Sequence, residues 1–74
     1  GVLTLENRND FDIVVHLLAD GKERIVEVKA NGVKILYQIS KDTVYTLGCH
    51  ADVSEGIEIK LYVYDGEGNT IHLD

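Results

Sequence analysis

Along this chain apolar and polar residues alternate with a period of two, in short runs separated by glycine and by clusters of Asn, Asp and Ser. A period of two is the signature of half-buried strands, and the runs are rich in Val, Ile, Tyr and Thr, which suit pleated positions. The pattern predicts strands over residues 2–6, 12–19, 22–29, 33–39, 43–50, 57–64 and 70–74. Asn7-Arg8-Asn9-Asp10 reads as the first turn and Ser40-Lys41-Asp42 as a later one. Asp20-Gly21 and Asn31-Gly32 each read as a two-residue hairpin turn, because Asn, Asp and Gly tolerate the positive φ that a type I′ turn demands. Residues 51–56 show no periodicity and read as a connection; residues 65–69, with two glycines, read as a loop.

About seven short strands at a spacing of roughly 8–12 residues is the pattern of an all-β sandwich or small barrel. Taking one face of each strand inward predicts a core of Leu3, Leu5, Ile13, Val15, Leu17, Val26, Val28, Ile35, Tyr37, Leu47, Ile57, Ile59, Leu61, Val63 and Ile71. Two strands carry apolar residues on both faces. Val14 and Leu18 oppose Ile13, Val15 and Leu17, and Val44 opposes Tyr45 and Leu47. A strand with one wet face has no use for that, so either a loop covers the second face or Val14, His16, Leu18 and Val44 form an interface with a neighbouring domain or a second copy; the interface is the stronger expectation.

Composition narrows the function. Seventy-four residues, 45% of them hydrophobic, make one domain over residues 1–74 whose apolar side chains are needed for its core. Gly1 in place of Met reads as a cleavage scar or as a cut from a longer protein. The net charge is −6, with 7 basic residues against 13 acidic ones. That balance repels phosphate backbones and argues against nucleic acid as a partner. No run approaches the 18 or more apolar residues of a spanning helix, so membrane insertion is not expected. One cysteine, Cys49, forms no internal disulfide and leaves the redox compartment open.

The candidate chemistry is sparse. Tyr62 and Tyr64 share a strand face at about 7 Å; with Glu58 and Lys60 alongside, that face offers a platform for a sugar or other small ligand. Asp65, Glu67 and Asn69 alternate as in the start of a calcium loop, but Thr70 stands where such a loop needs glycine, and the chain stops short of its last ligand. His16, His50, His72 and Cys49 lack the close pairing of a zinc site, and Cys49 and His50, adjacent on a strand, point to opposite faces. The sequence therefore predicts no metal and no cofactor, with surface histidines and a small buried thiol. No nucleophile elbow or helix N-terminus stands by Cys49 to activate it, so an enzyme is not expected.

The order of turn motifs is similar to that of a known class. Asn7-Arg8-Asn9-Asp10, Asp20-Gly21-Lys22, Gly48-Cys49-His50, Tyr62-Val63-Tyr64-Asp65 and Gly68-Asn69 together resemble the small immunoglobulin-like β-sandwich modules of prokaryotic, often archaeal, membrane-anchored or surface proteins. The chain departs from that pattern at Ala30-Asn31-Gly32, at Cys49 between Gly48 and His50, and in lacking the Cys pair and Trp of true immunoglobulin domains. The resemblance implies an immunoglobulin-like sandwich at the cell surface, an accessory module that spaces or displays, and no family active site.

Overall fold

The computed structural model describes residues 1–71. Seven strands form: β1 (Leu3–Asn7), β2 (Ile13–Ala19), β3 (Lys22–Val28), β4 (Val33–Leu36), β5 (Thr46–His50), β6 (Leu61–Tyr64) and β7 (Thr70–Ile71). They make two antiparallel sheets, β4-β1-β6-β7 and β3-β2-β5, and no helix occurs among the described residues. Of β7, residues 72–74 of the expected strand lie outside the described residues.

The sheets share one apolar core. Leu3, Leu5, Leu36 and Val63 come from the four-stranded sheet, and Ile13, Val15, Leu17 and Val28 from the other. Strict alternation along β1 and β2 puts every second residue inside, as the sequence pattern requires. Asp20 and Gly21 both take positive φ, 51° and 73°, and close the β2–β3 hairpin with Ala19 opposite Lys22.

Asn31-Gly32, by contrast, closes no hairpin, because β3 and β4 belong to different sheets. The turn is tight, Gly32 N–H donating to Lys29 O at 2.8 Å, with Asn31 at φ 55°. It is captured by the first strand's end: Asn7 N–H donates to Gly32 O, and Asn31 N–H to Asn9 O, both at 2.9 Å. That capture carries the chain across and sets β4 against β1 with Leu36 opposite Leu3 and Ile35 opposite Thr4. Leu36 is therefore the core residue, and the expected Ile35 and Tyr37 are 45% and 63% exposed. Gln38, at φ 60°, breaks the extended conformation just beyond β4, which ends three residues early.

Asn7 and Asn9, read as turn residues, are buried. Asn7 Nδ2 lies within reach of three carbonyls, Phe11 at 2.8 Å, Val28 at 3.0 Å and Lys29 at 3.1 Å. Its Oδ1 accepts from the main-chain N–H and the Nδ2 of Asn9, at 2.9 and 2.7 Å. Asn9 in turn brackets Lys60, accepting from its N–H at 2.9 Å and donating to its carbonyl at 3.0 Å. An amide side chain thus takes the place of a neighbouring strand at Lys60, and the ladder of β6 begins only at Leu61. Residues 57–60 are outside the strand, and Ile57, expected in the core, is 51% exposed. Ile71, on the short edge strand β7, is also more open than expected, whereas Val26, Leu47, Ile59 and Leu61 pack partly buried against the core.

Removing the Asn7 amide strips a donor from the buried Val28 carbonyl and the part-buried Phe11 carbonyl, while Lys29 O keeps the Gly32 N–H; an unsatisfied buried group costs about 1–3 kcal/mol. Asn7→Ala is expected to lower unfolding stability by about 2–4 kcal/mol in urea titrations followed by circular dichroism; a loss no larger than that of a surface substitution would show that the knot is dispensable.

Candidate interaction faces

Each sheet presents its outer face to solvent, and the candidate residues divide between the two. On the four-stranded sheet, register places Tyr62 opposite Glu6 and Tyr64 opposite Thr4, with Val33 and Ile35 beyond them on β4. The tyrosines do share a face. The polar groups beside them are Glu6 and Arg8, however, because Glu58 and Lys60 precede β6. The Arg8 guanidinium lies 4.0 Å from the Tyr62 ring centroid, a cation–π contact that occupies the surface a sugar would stack on. Arg8 Nη2 also meets Glu6 Oε1 at 3.0 Å and donates to Tyr64 Oη at 3.2 Å, while Tyr64 Oη donates to Glu6 Oε1 at 3.1 Å. The aromatic face is internally satisfied. Hydrogen bonding from Arg8 holds the Glu6 carboxyl below its usual range.

The loop at residues 65–69 uses its oxygens in the same inward way. Asp65 Oδ1 accepts the N–H groups of Glu67 and Asn69, both at 2.9 Å, and Oδ2 accepts from Asn69 Nδ2 at 3.3 Å. Gly68, at φ 83°, closes the turn. Those main-chain donors, Asn69 foremost, lower the Asp65 pKa. The carboxylate caps a hairpin here.

The three-stranded sheet is different. Its outer rows run Glu27–Val14–His50, Ile25–His16–Gly48 and Glu23–Leu18–Thr46, read across β3, β2 and β5. Val14 and His16 are half-buried, and Leu18 and Ile25 are 45% and 61% exposed. Val44 is 89% exposed but precedes β5, outside the paired register. Ile25 and His50, which the sequence reading left off this face, are part of it. The β2–β3 hairpin pattern could have found Ile25, since it stands opposite His16 once Asp20-Gly21 is placed. Nothing local could have found His50, whose position depends on pairing between distant strands.

The two histidines meet: His16 Nε2 and His50 Nδ1 are 3.0 Å apart, with ring centroids at 4.9 Å and planes inclined by 32°. On the other side of the His16 ring, Nδ1 is 3.5 Å from Glu23 Oε2. Cys49 alternates to the opposite face, as expected, yet it is exposed on edge strand β5 rather than buried. Partial shielding of the sulfur still raises its thiol pKa, the reverse of what a nucleophile needs. Among the described residues no three His, Cys, Asp or Glu converge on a point, and no helix is long and apolar enough to cross a membrane.

Glu6, Asp12 and Asp65 all have lowered pKa values, Asp12 chiefly through the Ala30 N–H. A carboxylate with a depressed folded-state pKa adds stability above its unfolded value near 4, and that stability is lost as pH falls through the folded value. The thermal midpoint is expected to hold from pH 7 to about 5 and to fall steadily below about 4; a midpoint flat down to pH 2.5 would contradict it. No family model, no curated protein sequence and no solved structure matches the chain.

Proposed function

We propose that this domain is a non-catalytic assembly module that associates through the outer face of the β3-β2-β5 sheet, and that its partner there is a second copy of the chain. The reading is supported by the exposed Ile25 beside the open surface at Gly48, which together allow that face to pack on a copy of itself. A twofold axis along β2 lays β3 of one copy over β5 of the other, preserving position along the strands. Ile25, the most exposed large side chain of the face, then stands over Gly48, where a Cβ would meet nothing within 4 Å. Glu27 stands over His50 in the same arrangement, and Leu18, His16 and Val14 each meet their own copies. A knob over a gap and an acid over a base is what an isologous interface requires.

Three strands at about 4.8 Å make a face roughly 15 Å wide, so each copy covers a few hundred Å², less than the roughly 800 Å² of a standard interface. Association is therefore weak and concentration-dependent. Two pairings, β2 with β5 and the β6–β7 hairpin, support an immunoglobulin-like description; β3, hairpinned to β2 instead of paired with β6, sets the order apart from that of antibody domains. A sugar-binding role at Tyr62 and Tyr64 has less support, since Arg8 already covers the Tyr62 ring.

Sedimentation velocity up to about millimolar concentration is expected to show a reversible dimer. Leu18→Asp and Ile25→Asp should each leave a folded monomer. Gly48→Val is the sharper variant: it suits a strand and its Cβ meets nothing within 4 Å in its own chain, yet it fills the gap that Ile25 needs. A Gly48→Val protein that dimerises like the parent would refute this packing, and a parent that stays monomeric throughout would refute self-association.

A further inference from the structure

We propose that His16 and His50 form a two-histidine site for a borderline divalent metal ion, with copper(II) the preferred occupant. The pair is diagonal across β2 and β5, Val14 standing opposite His50 and His16 opposite Gly48. Gly48 carries no side chain and a Cβ there would meet nothing within 4 Å, so in the single chain the surface beside the pair is open to water ligands.

The separation suits copper(II). Two nitrogens 3.0 Å apart, each about 2.0–2.1 Å from one ion, subtend about 95° at it. Adjacent positions of a tetragonal complex have that angle; a tetrahedral zinc ion wants its nitrogens about 3.3–3.4 Å apart. Imidazole nitrogens also bind copper(II) most tightly of the first-row divalent ions. In the structure the two nitrogens lie at hydrogen-bonding distance; an ion would sit to one side of the line joining them, with the hydrogen they share moved to the other nitrogen of its own ring.

Glu23 stands beside the pair. Its carboxylate is 3.5 Å from His16 Nδ1, the ring nitrogen that faces away from His50. The protein's charge of −6 favours a cation at the surface. With no third described side chain converging, water completes the coordination and the ion remains exchangeable. Spacing along the chain conceals such a site, since 34 residues separate the two ligands and only the register joins them.

The site does not rest on the docking reading, and its test is separated from it by using the Leu18→Asp background, with Cys49→Ser added to remove the thiol that reduces copper(II). Glycine-buffered copper(II) is titrated into the 74-residue chain and followed by calorimetry and electron paramagnetic resonance. One ion per chain with imidazole nitrogen couplings is expected, weakened tenfold or more by His16→Ala or by His50→Ala, with zinc binding more weakly than copper(II). Substoichiometric copper(II) should broaden the ring signals of His16 and His50 before those of His72, a measurement that needs no substitution at the site. Affinity that falls less than tenfold in either variant, or broadening that begins elsewhere, would overturn the assignment.

Discussion

Two buried asparagines hold this fold together. Asn7 ends β1 inside the core and reaches carbonyls at Phe11, Val28 and Lys29; Asn9, bound to it, brackets Lys60. Every chain segment that leaves one sheet for the other near this end passes through that knot. The turn after β3 is caught on it, which sends β4 to the far sheet, and the start of β6 is defined by it. A core of buried aliphatic side chains, eight among the described residues, is non-directional and would tolerate several arrangements of strands. Directed amide hydrogen bonds in a low-dielectric site do not, since each wrong arrangement leaves buried polar groups unpaired. No buried side-chain polar atom lacks a partner among the described residues.

The legible part of the structure was the part governed by local rules. Alternation along β1 and β2, together with the turn chemistry of Asp20-Gly21, is enough to place Leu3, Leu5, Ile13, Val15 and Leu17 inside. The same rules misled at β4. Val33, Ile35 and Tyr37 alternate as a core-facing set would, but a strand that crosses to another sheet takes its facing from its new neighbour, and Leu5 stands opposite Lys34. Lys34 is accommodated there because β4 is an edge and its long stem reaches water. Asn7 and Asn9 were illegible for a related reason, since asparagine is a common turn residue and only the tertiary setting makes these two a core element.

Candidate chemistry followed the same division. The face carrying Val14, His16 and Leu18 is readable as doubly apolar from one strand alone. What stands beside it, Ile25 on one side and Gly48 and His50 on the other, is a property of two registers. On the opposite sheet the tyrosine pair was readable, but its polar neighbours were misplaced. Glu58 and Lys60 share the tyrosines' parity in sequence, whereas Glu6 and Arg8 are brought to them by β1–β6 pairing.

The strand order also bears on how the chain reaches this state. Among the described residues only β2–β3 and β6–β7 are pairings between neighbours in sequence; β1 waits for β4 on one side and for β6 on the other. Closing such long loops before any contact rewards them slows folding. As the chain emerges during synthesis, the β2–β3 hairpin can form early, while β1 keeps an open edge until Leu61 and its successors arrive. During that interval Asn7 and Asn9 lack one of their partners as well, so the same residues that make the finished arrangement unique make the unfinished one sticky. A chaperone or a nascent-chain partner would find its opportunity at β1, in the time before β6 is available.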